Sequence, residues 1–182
     1  MDSSSTYPVV ETFHSLQGEG YWVGVSAFFI RLAGCDVHCP FCDTKHSWNA
    51  QRHPLVTIDR LLEQARQARP QIVVITGGEP LMHNLQPLTA LFHAHSLRLH
   101  LETAGAHPLT GEFDWITLSP KPFLPPLASI YEQAHELKVV IQSPKDLQWA
   151  ENEAQKVRPT THLFLQPEWS QPDSRQLVID YI

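Results

Sequence analysis

Within TIDRLLEQARQARPQIVVITGGEP (Thr57–Pro80) the hydrophobic pattern changes from helical to extended and then stops on glycine. Ile58, Leu61, Leu62 and Ala65 recur on one helical face behind Thr57, whose hydroxyl can cap a first turn, so Thr57–Ala68 is predicted to be a helix. Gln71–Thr76 is a short β-branched run and reads as a strand. The same alternation extends in both directions. Ala27–Leu32, Leu97–Glu102, Trp115–Leu118, Leu137–Ile141 and Thr161–Leu165 read as strands, and Leu85–His95 and Pro144–Val157 as helices, the latter started by Ser143 before Pro144. Strands alternating with helices predict an α/β fold with a mainly parallel sheet. A closed eight-unit barrel takes about 250 residues. Six strands in 182 residues therefore predict a partial, open (β/α) barrel of about six mainly parallel strands with reduced helices. SPKPFLPPL (Ser119–Leu127) is too proline-rich for a helix, so one crossover helix should be reduced or missing there.

The length suits a single domain spanning residues 1–182 with its own core. Hydrophobic residues are 42% and charged residues 18%, and no apolar run approaches the roughly 20 residues of a membrane span. MDSSSTYPVVETF does not resemble a secretory signal, so a soluble, cytoplasmic chain is expected. With 13 basic against 19 acidic residues, a net charge of −6 and no basic run, nucleic acid is not an expected partner. The three cysteines cannot all pair and lie close together, which suits a metal site in a reducing compartment.

In such folds the chemistry gathers at the C-terminal ends of the strands. The polar motifs follow that rule: GCDVHCPFC comes after the first predicted strand, TGGEP after the second, ETAG after the third, SPK after the fourth and QP after the sixth. Cys35-x3-Cys39-x2-Cys42 offers three thiolates, which an iron–sulfur cube accepts while leaving one iron open. Zinc is an alternative, since His46 would complete a Cys3His set. Three buried, unliganded cysteines fit poorly, because Asp36, His38, Pro40 and Asp43 interrupt any apolar period. Gly77 and Gly78 let the backbone approach a ligand, and Glu79 offers a carboxylate to an ammonium group, although Gly-Gly-Glu-Pro alone is also an ordinary strand-to-helix turn.

The cysteine spacing followed by TGGEP resembles the radical SAM superfamily. ETFHSLQGEG (Glu11–Gly20) is similar to the ETFxSxQGEG segment of its 7-carboxy-7-deazaguanine synthase (QueE) family. Further matches are FIRLAGC (Phe29–Cys35), CDT (Cys42–Thr44), ETAG (Glu102–Gly105), SPK (Ser119–Lys121), ELKVVI (Glu136–Ile141) and LQP (Leu165–Pro167). The resemblance implies a [4Fe-4S] cluster on Cys35, Cys39 and Cys42 whose open iron chelates the amino and carboxylate groups of S-adenosyl-L-methionine, yielding a 5′-deoxyadenosyl radical on reduction. It further implies conversion of 6-carboxy-5,6,7,8-tetrahydropterin to 7-carboxy-7-deazaguanine with loss of ammonia, a step of queuosine biosynthesis. That reaction begins by abstraction of the C6 hydrogen, is stimulated by Mg2+ and uses no side chain as acid or base. An electron donor such as flavodoxin or ferredoxin and a homodimeric assembly are implied in the same way.

Residue by residue, the resemblance assigns the substrate to Leu16, Gln17, Gly18, Glu19, Gly20, Arg31 and Thr76. Gln17 and Glu19 suit the pterin's amide and amino edge, and the Arg31 fork suits its carboxylate. Thr44 offers a hard oxygen to Mg2+. Gly77, Gly78, Glu79, Glu102, Ser119, Lys121 and Gln166 are assigned to the cofactor, Glu79 facing the methionine ammonium. Simpler readings stand beside these: Thr44 as a loop cap, Arg31 as a surface residue, Glu102 as a strand-end bond and Ser-Pro-Lys as an exposed turn. His14, His38 and His46 are assigned no role. Asp36 replaces the family's usual Asn, Ala104 its usual Asn or Ser, and the region after Gln166-Pro167 is short. The competing functions are an activase that takes hydrogen from a partner protein's glycine, for which ETFHSLQGEG has no use, and a zinc-binding module.

Overall fold

The computed structural model describes residues 5–182, and the helix–strand unit that begins after Thr57 follows the sequence closely. Helix α1 (Ile58–Ala68) is capped by Thr57, whose Oγ1 accepts from Arg60 N at 3.3 Å, and it buries Ile58, Leu61, Leu62 and Ala65. Strand β4 (Ile72–Gly77) follows. The remaining strands are β1 (Thr6–Leu16), β2 (Ser26–Leu32), β3 (Leu55–Thr57), β5 (Leu99–Thr103), β6 (Trp115–Leu118), β7 (Glu136–Ile141) and β8 (His162–Pro167). The remaining helices are α2 (Gln86–Ala94), α3 (Ala128–Gln133), α4 (Pro144–Ala154) and α5 (Pro172–Tyr181). One sheet runs in the order β3-β1-β2-β4-β5-β6-β7-β8. From β2 to β8 every pairing is parallel, and β1 is antiparallel to both β2 and β3. The sheet is an open partial barrel, and its six parallel strands are those the sequence predicts.

Three elements are additional, each with a physical reason. β1 carries a bulge between Val9 and Glu11 that transfers its buried set from one sheet face to the other and so hides the period-two pattern. β3 has only three residues. α5 buries only Ser174 and Val178, too few for an amphipathic stripe. The proline-rich Ser119–Leu127 segment is indeed followed by a short helix, α3. The crossover with no helix at all is Ala104–Asp114, between β5 and β6.

Strand alternation divides the side chains into two layers. Phe28, Ile30 and Leu32 of β2, Val73 and Ile75 of β4, Leu99 and Leu101 of β5 and Leu137, Val139 and Ile141 of β7 join the helices in one apolar core. Ala27, Phe29, Ile72 and Val74 face the other way and pack with Phe13, Trp22 and Val25. The segment after β1 thus places Trp22 inside the barrel, where its ring meets His100 at 5.1 Å and Trp115 at 5.6 Å between centroids. Burial lowers the His100 pKa to about 4, which keeps the imidazole neutral among these rings. The strand starts hence close the barrel with aromatic groups, and polar inward residues are left to the strand ends.

Candidate active site

The loop after β2 carries the cysteines and is tied down by its own backbone. Gly34 N donates to Ser47 O at 2.8 Å, Cys35 N to Trp48 O at 3.2 Å and Cys42 N to Cys39 O at 3.1 Å. Cys35, Cys39 and Cys42 are free thiols, partly buried, and all three line a cavity of about 180 Å³ with Glu79, Ser119 and Lys121 on its other sides. Burial pushes the Cys35 and Cys39 thiols up, opposed at Cys39 by the Lys121 ammonium. Among the described residues no three such side chains converge on a single point as an ion requires. The three thiols line one space together, and thiolates are the ligands that an iron–sulfur cube takes. His46 is exposed and lies outside this lining, so the Cys3His alternative is not brought together.

Glu79, 1% exposed, stands across from the thiols. Its Oε1 accepts from Leu81 N at 3.0 Å and Thr103 Oγ1 at 2.6 Å, and its Oε2 from Ala104 N at 2.8 Å. The ends of β4 and β5 are joined through this one carboxylate, and Oε2 keeps capacity for another donor. Ala104 contributes through its backbone, so an apolar side chain suffices there. Burial raises the Glu79 pKa, with the Thr103 bond opposing.

The two glycines before Glu79 also make a close approach within the chain itself. A Cβ on Gly77 would lie 2.4 Å from Leu32 O, and one on Gly78 2.1 Å from Gly34 O. What approaches them is the chain's own cysteine loop, held by Gly78 N to Leu32 O at 3.1 Å and Glu79 N to Gly34 O at 2.8 Å. The glycines seat the cysteine motif against the carboxylate motif. Both still line the cavity.

Lys121 Nζ donates to Ser119 O at 2.5 Å and Ser119 Oγ at 2.7 Å, and burial lowers its pKa to about 8 although the neighbouring Cys39 opposes that. Asp36 bonds His107 Nε2 at 2.9 Å, a pair that fixes the outer side of the cysteine loop to the segment after β5.

A second cavity of about 480 Å³ adjoins the first and shares Cys39, Cys42, Gly77, Glu102, Lys121 and Lys138 with it. Its polar wall is one connected network. Thr76 Oγ1 donates to Glu102 Oε2 at 3.1 Å, Gln17 Nε2 to Glu102 Oε1 at 3.2 Å, and Glu19 N to Gln17 Oε1 at 3.3 Å. Glu19 in turn accepts from Lys138 Nζ at 2.6 Å and Gln166 Nε2 at 2.6 Å. Glu102 and Gln166, assigned from sequence to the cofactor, are thereby bonded to the residues assigned to the substrate. Arg31 Nε donates to Glu11 Oε1 at 2.9 Å, and Arg31 lines the same cavity together with Phe13 and Phe29, whose rings stack at 4.8 Å. Thr44 lies at its edge with Oγ1 3.6 Å from Cys42 Sγ and caps no helix with that hydroxyl. Gly18 lines it as well, whereas Leu16 is exposed and Gly20 turns away with φ +68°, its hydrogen facing the Glu136 carboxylate.

Among the residues that line this site without an assignment from sequence are Trp169 and Lys138. Trp169 lies beyond the last matched motif. Lys138 lies inside one, ELKVVI, where a lysine amid apolar residues was the available signal. Burial pulls the Lys138 pKa down, but Glu102, Glu19 and Glu136 outweigh it and hold the ammonium above its ordinary range. Its stabilising contribution is therefore complete at neutral pH and fades only as pH rises past 10.5 through the raised value. Lys138→Met should cost about 2–3 kcal/mol by leaving the carboxylates uncompensated, discounted because Glu19 is half-exposed. Calorimetry should then show the unfolding midpoint roughly 4–12 °C lower; an unchanged midpoint rules out this role.

Comparisons with known proteins point the same way. Residues 29–143 match the family model described as the radical SAM superfamily. A 7-carboxy-7-deazaguanine synthase of Synechocystis sp. is 59% identical over 97% of this chain and 85% of its own length. The enzyme of that name from Flavobacterium psychrophilum is 45% identical over all of this chain and 87% of its own. The crystal structure of QueE from Escherichia coli superposes with a TM-score of 0.85 at 32% identity, covering 97% of this chain and 89% of that one.

Proposed function

The chain belongs to the 7-carboxy-7-deazaguanine synthase family of the radical SAM superfamily, and we propose on that premise how its residues divide the reaction from 6-carboxy-5,6,7,8-tetrahydropterin to 7-carboxy-7-deazaguanine and ammonia. The observation that carries the division is the contact between the two cavities: thiols line one, a carboxylate–amide network lines the other, and Cys39, Cys42, Glu102, Lys121 and Lys138 border both. Cys35, Cys39 and Cys42 are the residues to hold a [4Fe-4S] cluster. Bound there with S-adenosyl-L-methionine, the cluster supplies reductive sulfur–carbon cleavage and hence a carbon-centred radical. Glu79 Oε2 has the free capacity and the burial to favour a methionine ammonium, and Ser119 and Lys121 face a carboxylate or ribose.

In the larger cavity Gln17, Glu19 and Glu102 present acceptors and amide groups to the pterin's amide and amino edge, already fixed by Thr76, Lys138 and Gln166. Such fixed groups orient the ring without reorganising when it arrives. Arg31 spends only Nε on Glu11 among the described residues, leaving the outer guanidinium edge to the substrate carboxylate. Residues 1–182 act as one radical SAM domain, working in the cytoplasm as a homodimer with a flavodoxin- or ferredoxin-type donor.

We assign Mg2+ to Thr44, supported by a hydroxyl that lies 3.6 Å from Cys42 Sγ on a residue lining the larger cavity. One protein oxygen suffices, because Mg2+ commonly leaves its other positions to substrate and water. An anaerobic assay followed by mass spectrometry should show product formation stimulated by Mg2+, and Thr44→Ala should blunt that stimulation at matched iron content. Identical Mg2+ curves for the two proteins remove Thr44 from the metal site.

A further inference from the structure

Trp169 is 71% exposed, yet it is not a loose side chain. Its indole N–H donates to Phe41 O at 3.0 Å, a bond between the loop after β8 and the cysteine loop. The residues around it are anchored. Glu168 N donates to Ile141 O at 3.0 Å, the buried Glu168 carboxylate accepts from Ser170 N at 3.0 Å and Ser170 Oγ at 2.8 Å, and Ser174 Oγ donates to Glu168 O at 3.1 Å. Trp169 lines the 480 Å³ cavity together with Phe13, Phe29 and Arg31, and its exposure contrasts with the buried Phe29 and the partly buried Phe13 and Arg31. A large aromatic face held toward solvent at the mouth of a polar cavity is uncovered surface that a flat ligand would remove from water.

We propose that Trp169 is a positioning residue that stacks on the planar pyrimidinone ring of the substrate and closes the cavity mouth over it. This deepens the pterin reading above and rests on it. The polar network reads the edge of the ring, and no edge contact restrains motion perpendicular to the ring plane. An aromatic face does so, and it tolerates the non-planar tetrahydro ring beside it. The indole N–H bond to Phe41 sets the orientation of that face and ties it to the loop bearing Cys39 and Cys42, so the ring is held relative to the thiols. A purely tethering Trp169 would depend on the N–H and not on the ring.

Trp169→Phe keeps an aromatic face and loses the N–H; Trp169→Leu loses both. Equilibrium binding of 6-carboxy-5,6,7,8-tetrahydropterin is measured on the cluster-reconstituted protein with S-adenosyl-L-methionine present and reductant absent, so that no turnover occurs. The expected result is binding about tenfold weaker for Trp169→Leu and within about threefold of the unmodified protein for Trp169→Phe, with cluster content and S-adenosyl-L-methionine affinity unchanged in both. Under turnover KM should rise in Trp169→Leu with kcat changed less, as expected for lost substrate binding. Equal binding by all three proteins overturns the proposal, and equal weakening in both variants overturns it in favour of a tether. Failure of the unmodified protein to bind the pterin, with its cluster intact, overturns the substrate reading itself and is seen separately from either.

Discussion

Replacing any one of Cys35, Cys39 or Cys42 with Ala should leave a protein that folds but holds no stable [4Fe-4S] cluster and turns over no substrate. The three thiols are arranged around one cavity by a loop whose backbone is bonded to Ser47 and Trp48 and whose start is seated on Gly77 and Gly78. The scaffold of the loop therefore survives loss of a sulfur, and the ligand count does not. Two thiolates leave half of a cube exposed to water and oxidant. Fold and ligation separate experimentally: circular dichroism should match that of the unmodified chain, while iron, sulfide and the visible charge-transfer absorption fall to near background after anaerobic reconstitution. A variant with full iron content and full activity would falsify the assignment of that cysteine.

The second large effect is expected at Glu79. Its two oxygens take Leu81 N, Thr103 Oγ1 and Ala104 N, so Glu79→Gln sets an NH2 group against at least one of these donors in either amide orientation. An unpaired buried donor costs about 1–3 kcal/mol, and loss of a charge-assisted bond to a bound ammonium about 1.5–3 kcal/mol. Together these should weaken S-adenosyl-L-methionine binding at least tenfold, which requires only about 1.4 kcal/mol. The cysteines do not bond Glu79, so cluster content should persist. Titration of the reconstituted variant with unchanged affinity removes Glu79 from the cofactor site.

The parallel half of the fold is legible in the sequence because its strands are buried β-branched runs and its best helix announces both its cap and its apolar stripe at Thr57–Ala65. What escapes is the antiparallel flap. β1 changes faces at the Val9–Glu11 bulge, and no periodicity survives such a shift. The motif residues were legible as chemistry and less so as geometry. Gly77 and Gly78 follow from the sequence as positions of close approach, but only the fold shows that Leu32 and Gly34 are what approaches. Glu102 and Gln166 stand at strand ends like the other motif residues, yet their partners are 85 and 147 positions away, Gln17 and Glu19, and no local pattern predicts that pairing. Trp169 lacks even a motif, since a single exposed tryptophan after Pro167 acquires meaning only from the cavity it borders.

On this reading the thiol-lined and amide-lined cavities form one reaction space for a carboxylated tetrahydropterin. The most direct measurement is anaerobic incubation of the reconstituted protein with 6-carboxy-5,6,7,8-tetrahydropterin, S-adenosyl-L-methionine, Mg2+ and a low-potential reductant, with product and ammonia quantified together. The expected result is 7-carboxy-7-deazaguanine and ammonia in equal amounts, both absent when S-adenosyl-L-methionine or reductant is left out. A fully loaded protein that cleaves S-adenosyl-L-methionine while the pterin is recovered unchanged would contradict it.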